Sequence, residues 1–326
     1  MILSELKPDE VKSRLCNEGL VIRTGPFNFR IISSIPSVSK GLNLLYADYA
    51  VVSNPEFVDF TVTLAQSGGL RRFWRSQVTF VYDGERQFAP LPIEHTFPLL
   101  EWAMNWCIAT QAHHYLTLHA AVMEREGCAV IMPAPSGSGK STLCAALVNR
   151  GWRLLSDEMT LISLVDGLIS PLGRPISLKN QSLDVIEKFV PGAVFSQVTH
   201  DTLKGSIGHL KAQSSDVAQI ELRARPRWVV FPRYVPDSNA ELAVRSKANS
   251  MLELGRTRST ILCSGCPVSS CLPMLSRRVI VMTLHTAVLK MPSTCSTNFP
   301  PKRDNEFRFA FKSMGATEHP AATNGF

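Results

Sequence analysis

Short apolar runs separated by turn formers dominate the first 115 residues. Val21-Ile22 and Ile31-Ile32 are bracketed by Thr24-Gly25-Pro26 and Ser33-Ser34. Gln77-Val-Thr-Phe-Val-Tyr82 followed by Asp83-Gly84 predicts a strand entering a tight turn. Residues 97–114 lack glycine and carry apolar residues at near-helical spacing, which predicts a helix. Residues 116–123 then predict a strand, 124–127 a turn, and 128–132 another short buried strand. A glycine-rich loop follows at once, and 141–150 hold good helix formers that stop at Gly151. Residues 152–155 and 159–165 predict further strands, the second turning at Asp166-Gly167.

Strand, loop, helix, strand is the unit that builds an α/β nucleotide-binding sheet. The expected organisation is therefore a mixed α+β N-terminal unit over 1–115, an α/β P-loop core over 116–262, and an atypical tail over 263–326. No internal repeat or low-complexity linker interrupts it.

Composition narrows the class. A 326-residue chain with 45% hydrophobic residues can bury an ample core. No apolar run approaches the roughly 20 residues of a membrane helix. The opening Met1-Ile-Leu-Ser-Glu-Leu-Lys has no cationic stretch leading into an apolar one, so a cytoplasmic protein with eight reduced cysteines is expected. The net charge of +7 suggests nucleic acid, yet more than half of the excess falls after Cys266, where seven Lys/Arg face three acids. The rest is nearly balanced, so neither nucleic acid nor a membrane is expected as a partner.

Ala134-Pro-Ser136-Gly137-Ser138-Gly139-Lys140-Ser141 fits the phosphate-loop pattern except at its first position, where Ala replaces Gly. Pro135 pushes the residue before it into extended geometry, which Ala tolerates. Gly137 and Gly139 let the backbone bend around phosphate oxygens and point N–H groups at them. Lys140 supplies a charge for the β- and γ-phosphates, the Ser141 hydroxyl is placed to ligate Mg²⁺, and the helix start through Thr142 adds its positive dipole end. ATP and Mg²⁺ are the expected cofactors.

Asp157-Glu158 closes the strand 152–155, sixteen residues beyond Ser141. So short an interval sets two carboxylates beside the bound phosphates, one to hold Mg²⁺ and one to take a proton from an attacking hydroxyl. An exposed Asp-Glu pair at a strand end is the bland alternative. His119 lies among apolar residues, where a satisfied core histidine is the usual outcome. Thr202-Leu-Lys204-Gly-Ser-Ile-Gly-His209 offers a cation beside glycines, suited to an anionic group. His113-His114 read as helix-end residues rather than metal ligands.

In order, these residues resemble the HPr kinase/phosphorylase fold, which the PEP carboxykinases share, and more closely the HPr kinase-related kinase A family. The resemblance is carried by Leu99-Leu-Glu-Trp-Ala-Met-Asn-Trp-Cys107, Leu118-His-Ala-Ala-Val122, Gly137-Ser-Gly-Lys-Ser-Thr-Leu-Cys144 and Arg150-Gly-Trp-Arg-Leu-Leu-Ser-Asp-Glu158. It continues in Arg174-Pro-Ile-Ser-Leu-Lys-Asn180, Lys204-Gly-Ser-Ile-Gly-His209 and Val230-Phe-Pro-Arg-Tyr234. It implies that Asp157 is the base for the acceptor hydroxyl, polarised through His119, with Glu158 near the metal. It also implies Lys140 in catalysis, contacts from Lys204 and His209 to the nucleotide, a serine hydroxyl as acceptor, and an oligomer.

The tail departs from the rest. No Asp or Glu occurs between Glu253 and Asp304, and Cys263, Cys266, Cys271 and Cys295 crowd into that stretch. Cys263-x-x-Cys266 invites a zinc or redox reading. A reading frame shifted near 263–267 accounts for both oddities and leaves a tail without designed structure; an intact frame on resequencing contradicts it.

Two functions are consistent with these residues. One is an Mg²⁺-ATP-dependent phosphotransferase acting on a hydroxyl of a protein, peptide or small molecule. The other is a binding protein that senses ATP without catalysis. The acid pair separates them, since a sensor needs no second carboxylate for proton abstraction.

Overall fold

The computed structural model describes residues 1–68, 74–135, 137–235, 241–256, 280–286 and 317–318. It is a mixed α/β fold with several sheets and, among the described residues, seven α-helices. The first half runs α1 (Pro8–Cys16), β1 (Leu20–Thr24), β2 (Phe27–Ser33), α2 (Pro36–Leu45), β3 (Phe60–Gln66), β4 (Gln77–Tyr82), β5 (Glu85–Arg86), β6 (Leu91–Pro92) and α3 (Thr96–Gln111). Strands β1 to β5 form one sheet in sequence order, with β6 on β4. In β2, Phe27, Phe29, Ile31 and Ser33 are buried and their neighbours are not, the period of a strand with one face on a core. In α2, Val38, Leu42 and Leu45 are buried at helical spacing. Helix α3 is apolar nearly all round and correspondingly enclosed, with Leu99, Leu100, Ala103, Met104 and Cys107 buried.

The second half runs β7 (Tyr115–Leu118), β8 (Ala120–Arg125), β9 (Cys128–Pro133), α4 (Lys140–Val148), β10 (Arg153–Ser156), β11 (Thr160–Ser163), β12 (Ile169–Ser170) and β13 (Ile176–Lys179). It continues with α5 (Gln181–Phe189), β14 (Thr199–Thr202), β15 (Gly205–Leu210), α6 (Ser214–Ala218), β16 (Arg225–Tyr234), β17 (Glu241–Val244), α7 (Lys247–Arg256), β18 (Ile280–Thr286) and β19 (Thr317–Glu318). The largest sheet has the order β10-β8-β9-β16-β18-β17-β19. Its centre is parallel, β9 to β16 and β16 to β18. Two three-stranded sheets, β12-β11-β7 and β13-β15-β14, flank the site described below.

Central strands covered on both faces are apolar at every position rather than alternately. Ala121, Met123, Val130 and Met132 join one core, and Ala120, Val122, Ala129 and Ile131 join a second. The first core also contains Phe27, Leu64 and Met104, so residues from before and after position 115 share it. Tyr49 reinforces that junction by donating a hydrogen bond to the Gly173 carbonyl.

Four expectations change. The run 116–123 is two strands, because β7 pairs with β11 while β8 pairs with β9 and β10, and His119 sits at the break. The turn expected over 124–127 shrinks to Glu126 and Gly127, whose φ values of 54° and 77° make a two-residue hairpin, so β8 keeps Glu124 and Arg125. The helix expected over 97–114 ends at Gln111. In the tail, residues 280–286 form β18 between β16 and β17, because Ile-Val-Met-Thr-Leu is a β-branched, apolar run that suits a central strand. Cys263, Cys266, Cys271, Cys295 and the frame shift expected at 263–267 lie outside the described residues.

Candidate functional site

Strand β9 delivers the chain to the loop 134–139, and α4 begins at Lys140. Gly137 and Gly139 have φ of 86° and 84°, the left-handed region that L side chains avoid. Space does not demand glycine here, since a Cβ on Gly137 would meet nothing and one on Gly139 only Tyr234 Cβ at 3.8 Å. The backbone conformation demands it. The first N–H groups of α4 have no acceptor within the helix, so they are free to bind an anion. Ser136 lies outside the described residues. The Thr142 hydroxyl is spent elsewhere, donating to Ser182 Oγ at 2.7 Å where α4 meets α5.

Lys140 is only 8% exposed, and its Nζ donates to His119 Nε2 at 3.3 Å. Burial lowers the Lys140 pKa while Asp157 and Glu158 hold it up, so the ammonium persists in a site with two carboxylates. The His119 pKa falls to about 4, from desolvation and then from the Lys140 charge, so the imidazole is neutral and can accept the lysine's proton donation. The hydrogen bond of His119 is thus to Lys140 and not to Asp157.

Asp157 and Glu158 follow β10 directly. Asp157 is 4% exposed, and its Oδ2 accepts the Ser177 N–H at 3.2 Å from β13. Burial raises its pKa to about 6 against the pull of Lys140. The Ser141 hydroxyl favours the charged form, and Oδ1 has no hydrogen-bond partner. Glu158 behaves oppositely. Burial pushes it up, but the charges of Lys179, Lys204 and Lys140 together bring it below the usual carboxylate range. Its Oε2 accepts from Asn105 Nδ2 at 2.6 Å. Two adjacent carboxylates with pKa values pushed apart can divide the work of base and charge partner.

Behind the pair stands a buried polar chain. Arg174 donates to Asn105 Oδ1 and pairs with Glu101 at 3.4 Å, and Tyr46 donates to Glu101 Oε1 at 2.6 Å. A buried ion pair survives only with such added hydrogen bonds. Lys204, at the turn between β14 and β15, lies 5.1 Å from the centre of the Trp102 ring, a cation–π distance. His209 is 2% exposed inside β15, its ring edge-on to Phe97, and burial lowers its pKa to about 4. It lines a recess with Asp157 and Glu158.

The fold therefore brings His119, Lys140, Ser141, Asp157, Glu158 and Lys204 into one electrostatic group, with Gly137, Ser138 and Gly139 at its mouth. Arg174, Asn105, Glu101 and Lys179 join it without having been given a role from the sequence. Glu101 and Asn105 did carry a signal, as two polar residues four apart on an apolar helix face. Arg174 and Lys179 lie in a stretch read only for its resemblance, with no role of their own, and β13 meets the acid pair through the Ser177 N–H bond to Asp157. Among the described residues no group of three or more His, Cys, Asp or Glu could hold a metal by itself. No helix among them is long and apolar enough to cross a membrane.

The family model of the SynChlorMet cassette protein ScmC matches residues 98–167, about a fifth of the chain. That match corrects the resemblance drawn from the sequence: the family found is ScmC, not an HPr kinase family. It spans α3, β7 to β9, the loop, α4, the acid pair and β11, and so contains His119, Lys140, Ser141, Asp157 and Glu158. No curated protein matches the chain.

Proposed function

We propose that the protein is an ATP-dependent phosphotransferase that moves the γ-phosphoryl group to a hydroxyl of a protein, peptide or small molecule. One observation carries this reading: Lys140, Ser141 and the acid pair converge at the N-terminus of α4, behind two left-handed glycines. In this reading β9, the loop and α4 form a P-loop. The N–H groups of the loop and helix hold the phosphates, and Lys140 offsets their charge. The Ser141 hydroxyl at the start of α4, with the partly buried, charged Glu158 carboxylate close by, fits a hydrated Mg²⁺ site that keeps few protein ligands. Bound there, Mg²⁺ would neutralise charge on the transferring phosphoryl group.

Asp157 takes the proton of the acceptor hydroxyl. Its pKa near 6 keeps it ionised at neutral pH yet more basic than an ordinary aspartate. Neutral His119 orients the Lys140 ammonium. Cytoplasmic action belongs to the same proposal.

Calorimetric ATP binding and transfer of labelled phosphate, measured on Asp157→Asn and Lys140→Ala, test it. Asp157→Asn is expected to bind ATP like wild type and lose about 10²-fold or more in transfer, the scale of a general base. Lys140→Ala is expected to lose both. Undiminished transfer in Asp157→Asn contradicts the base assignment. ATP binding with no transfer by the wild-type protein favours an ATP sensor instead.

A further inference from the structure

Four strand ends stand in a row along one edge of the largest sheet. From one side its strands are β10, β8, β9 and β16; β8 runs antiparallel to β9 and β10, and β16 runs parallel to β9. The carboxyl ends of β10, β9 and β16 and the amino end of β8 therefore share that edge. Along it come Asp157-Glu158 after β10, His119 before β8, the loop 134–139 after β9, and Tyr234 at the last position of β16. Open α/β sheets take up ligands at the carboxyl ends of their strands.

Three of these four positions already have work in the proposed transfer, and Tyr234 has none. Val229 pairs with Ile131, so β16 continues past the end of β9 and carries Tyr234 alongside the loop. The two come close, since a Cβ placed on Gly139 would lie 3.8 Å from Tyr234 Cβ. Yet the tyrosine is 56% exposed, so its ring serves the core little.

From this row we infer that Tyr234 carries the base of the bound nucleotide, stacked on its ring. This rests on the phosphotransferase reading, which orients the γ-phosphoryl end of the nucleotide and leaves the nucleoside unplaced. The direction follows from the sheet. The reacting phosphoryl group must lie toward Asp157, two strands to one side of β9, with the loop and the start of α4 under the phosphates. The remainder of the nucleotide then leaves across the other flank, where β16 ends. From β10 to β16 is three strand spacings, about 14 Å, a span that an extended nucleoside triphosphate covers. Chemistry agrees with direction. A base offers a flat π face and little charge, which an exposed aromatic ring matches, whereas phosphates seek N–H groups and Lys140. Because every base has such a face, Tyr234 strengthens binding without reading the base's hydrogen-bonding edge.

Calorimetry on the full chain tests this with two ligands, Mg²⁺-ATP and Mg²⁺-tripolyphosphate, the second keeping the phosphates and lacking the nucleoside. Tyr234→Ala is expected to weaken ATP binding about tenfold or more, the loss of one stacked base, and to leave tripolyphosphate binding as in wild type. Tyr234→Phe, which keeps the ring, is expected to restore ATP binding. A crystal structure of the wild-type protein with a non-hydrolysable ATP analogue supplies a second reading, in which the base is expected offset-stacked on the Tyr234 ring. Equal losses for both ligands in Tyr234→Ala would assign the residue to the shape of the loop and overturn the inference. Unchanged ATP binding in that variant, an equally large loss in Tyr234→Phe, or a base lying elsewhere in the crystal overturns it too, while leaving a kinase. Wild-type protein that binds neither ATP nor tripolyphosphate overturns the phosphotransferase reading, and this assignment with it.

Discussion

Asp157 and Glu158 are chemically near-identical neighbours that the fold drives apart. Asp157 loses its hydration with one N–H bond in return, so its pKa rises to about 6, whereas Glu158 faces Lys179, Lys204 and Lys140 and is held low. The sign of the pH dependence follows. A base with a raised pKa works only above it, so transfer is expected to climb as pH rises through about 6, and that limb should vanish in Asp157→Asn. Stability runs the other way. A carboxyl whose folded pKa exceeds its unfolded value contributes most below the unfolded value, and that contribution is lost as pH rises through about 6. Denaturant unfolding should therefore show Asp157→Asn gaining on the order of 1–3 kcal/mol relative to wild type above pH 6, and little near pH 4. A pH-independent difference would mean that Asp157 carries no strained charge.

At the scale of elements, β9, the loop and α4 were legible because their chemistry is local. An apolar run, two glycines, a lysine and a row of helix formers specify strand, turn and helix without help from the rest of the chain. Gly139 shows why. Its φ of 84° makes Gly139→Ala a backbone penalty of about 1–2 kcal/mol with no clash to relieve, since Tyr234 Cβ at 3.8 Å is an ordinary contact. Thermal unfolding should show that loss together with weaker ATP binding; unchanged values in both would remove the loop's left-handed turn from the mechanism. The break at His119 was not legible. Leu116 to Met123 is uniformly strand-forming, and only the competing partners β11 and β9 decide that the chain changes sheets there. The contact of the Thr142 hydroxyl with Ser182, on a helix far along the chain, was not legible for a similar reason.

For the whole molecule, the site depends on contacts that no short segment contains. Tyr46 and Glu101 come from the first third of the chain, Arg174 from the segment before β13, and their hydrogen bonds reach Asn105 and through it Glu158. Residues on both sides of position 115 share one apolar core, so the N-terminal unit helps to shape the acid pair's surroundings. Such coupling leaves a faint trace in sequence, because a buried arginine and its partners look like any surface charges until the sheets are assembled. The ScmC match, confined to residues 98–167, covers the loop and the acid pair but leaves out Tyr46, Arg174 and His209.

Transfer of γ-labelled phosphate from Mg²⁺-ATP to components of a cell extract, with Lys140→Ala as the blank, is the most direct measurement. The phosphotransferase reading predicts a labelled species, its phosphate on a hydroxyl, that disappears with Lys140→Ala. Bound ATP with no labelled species, or labelling that persists in the blank, would contradict it.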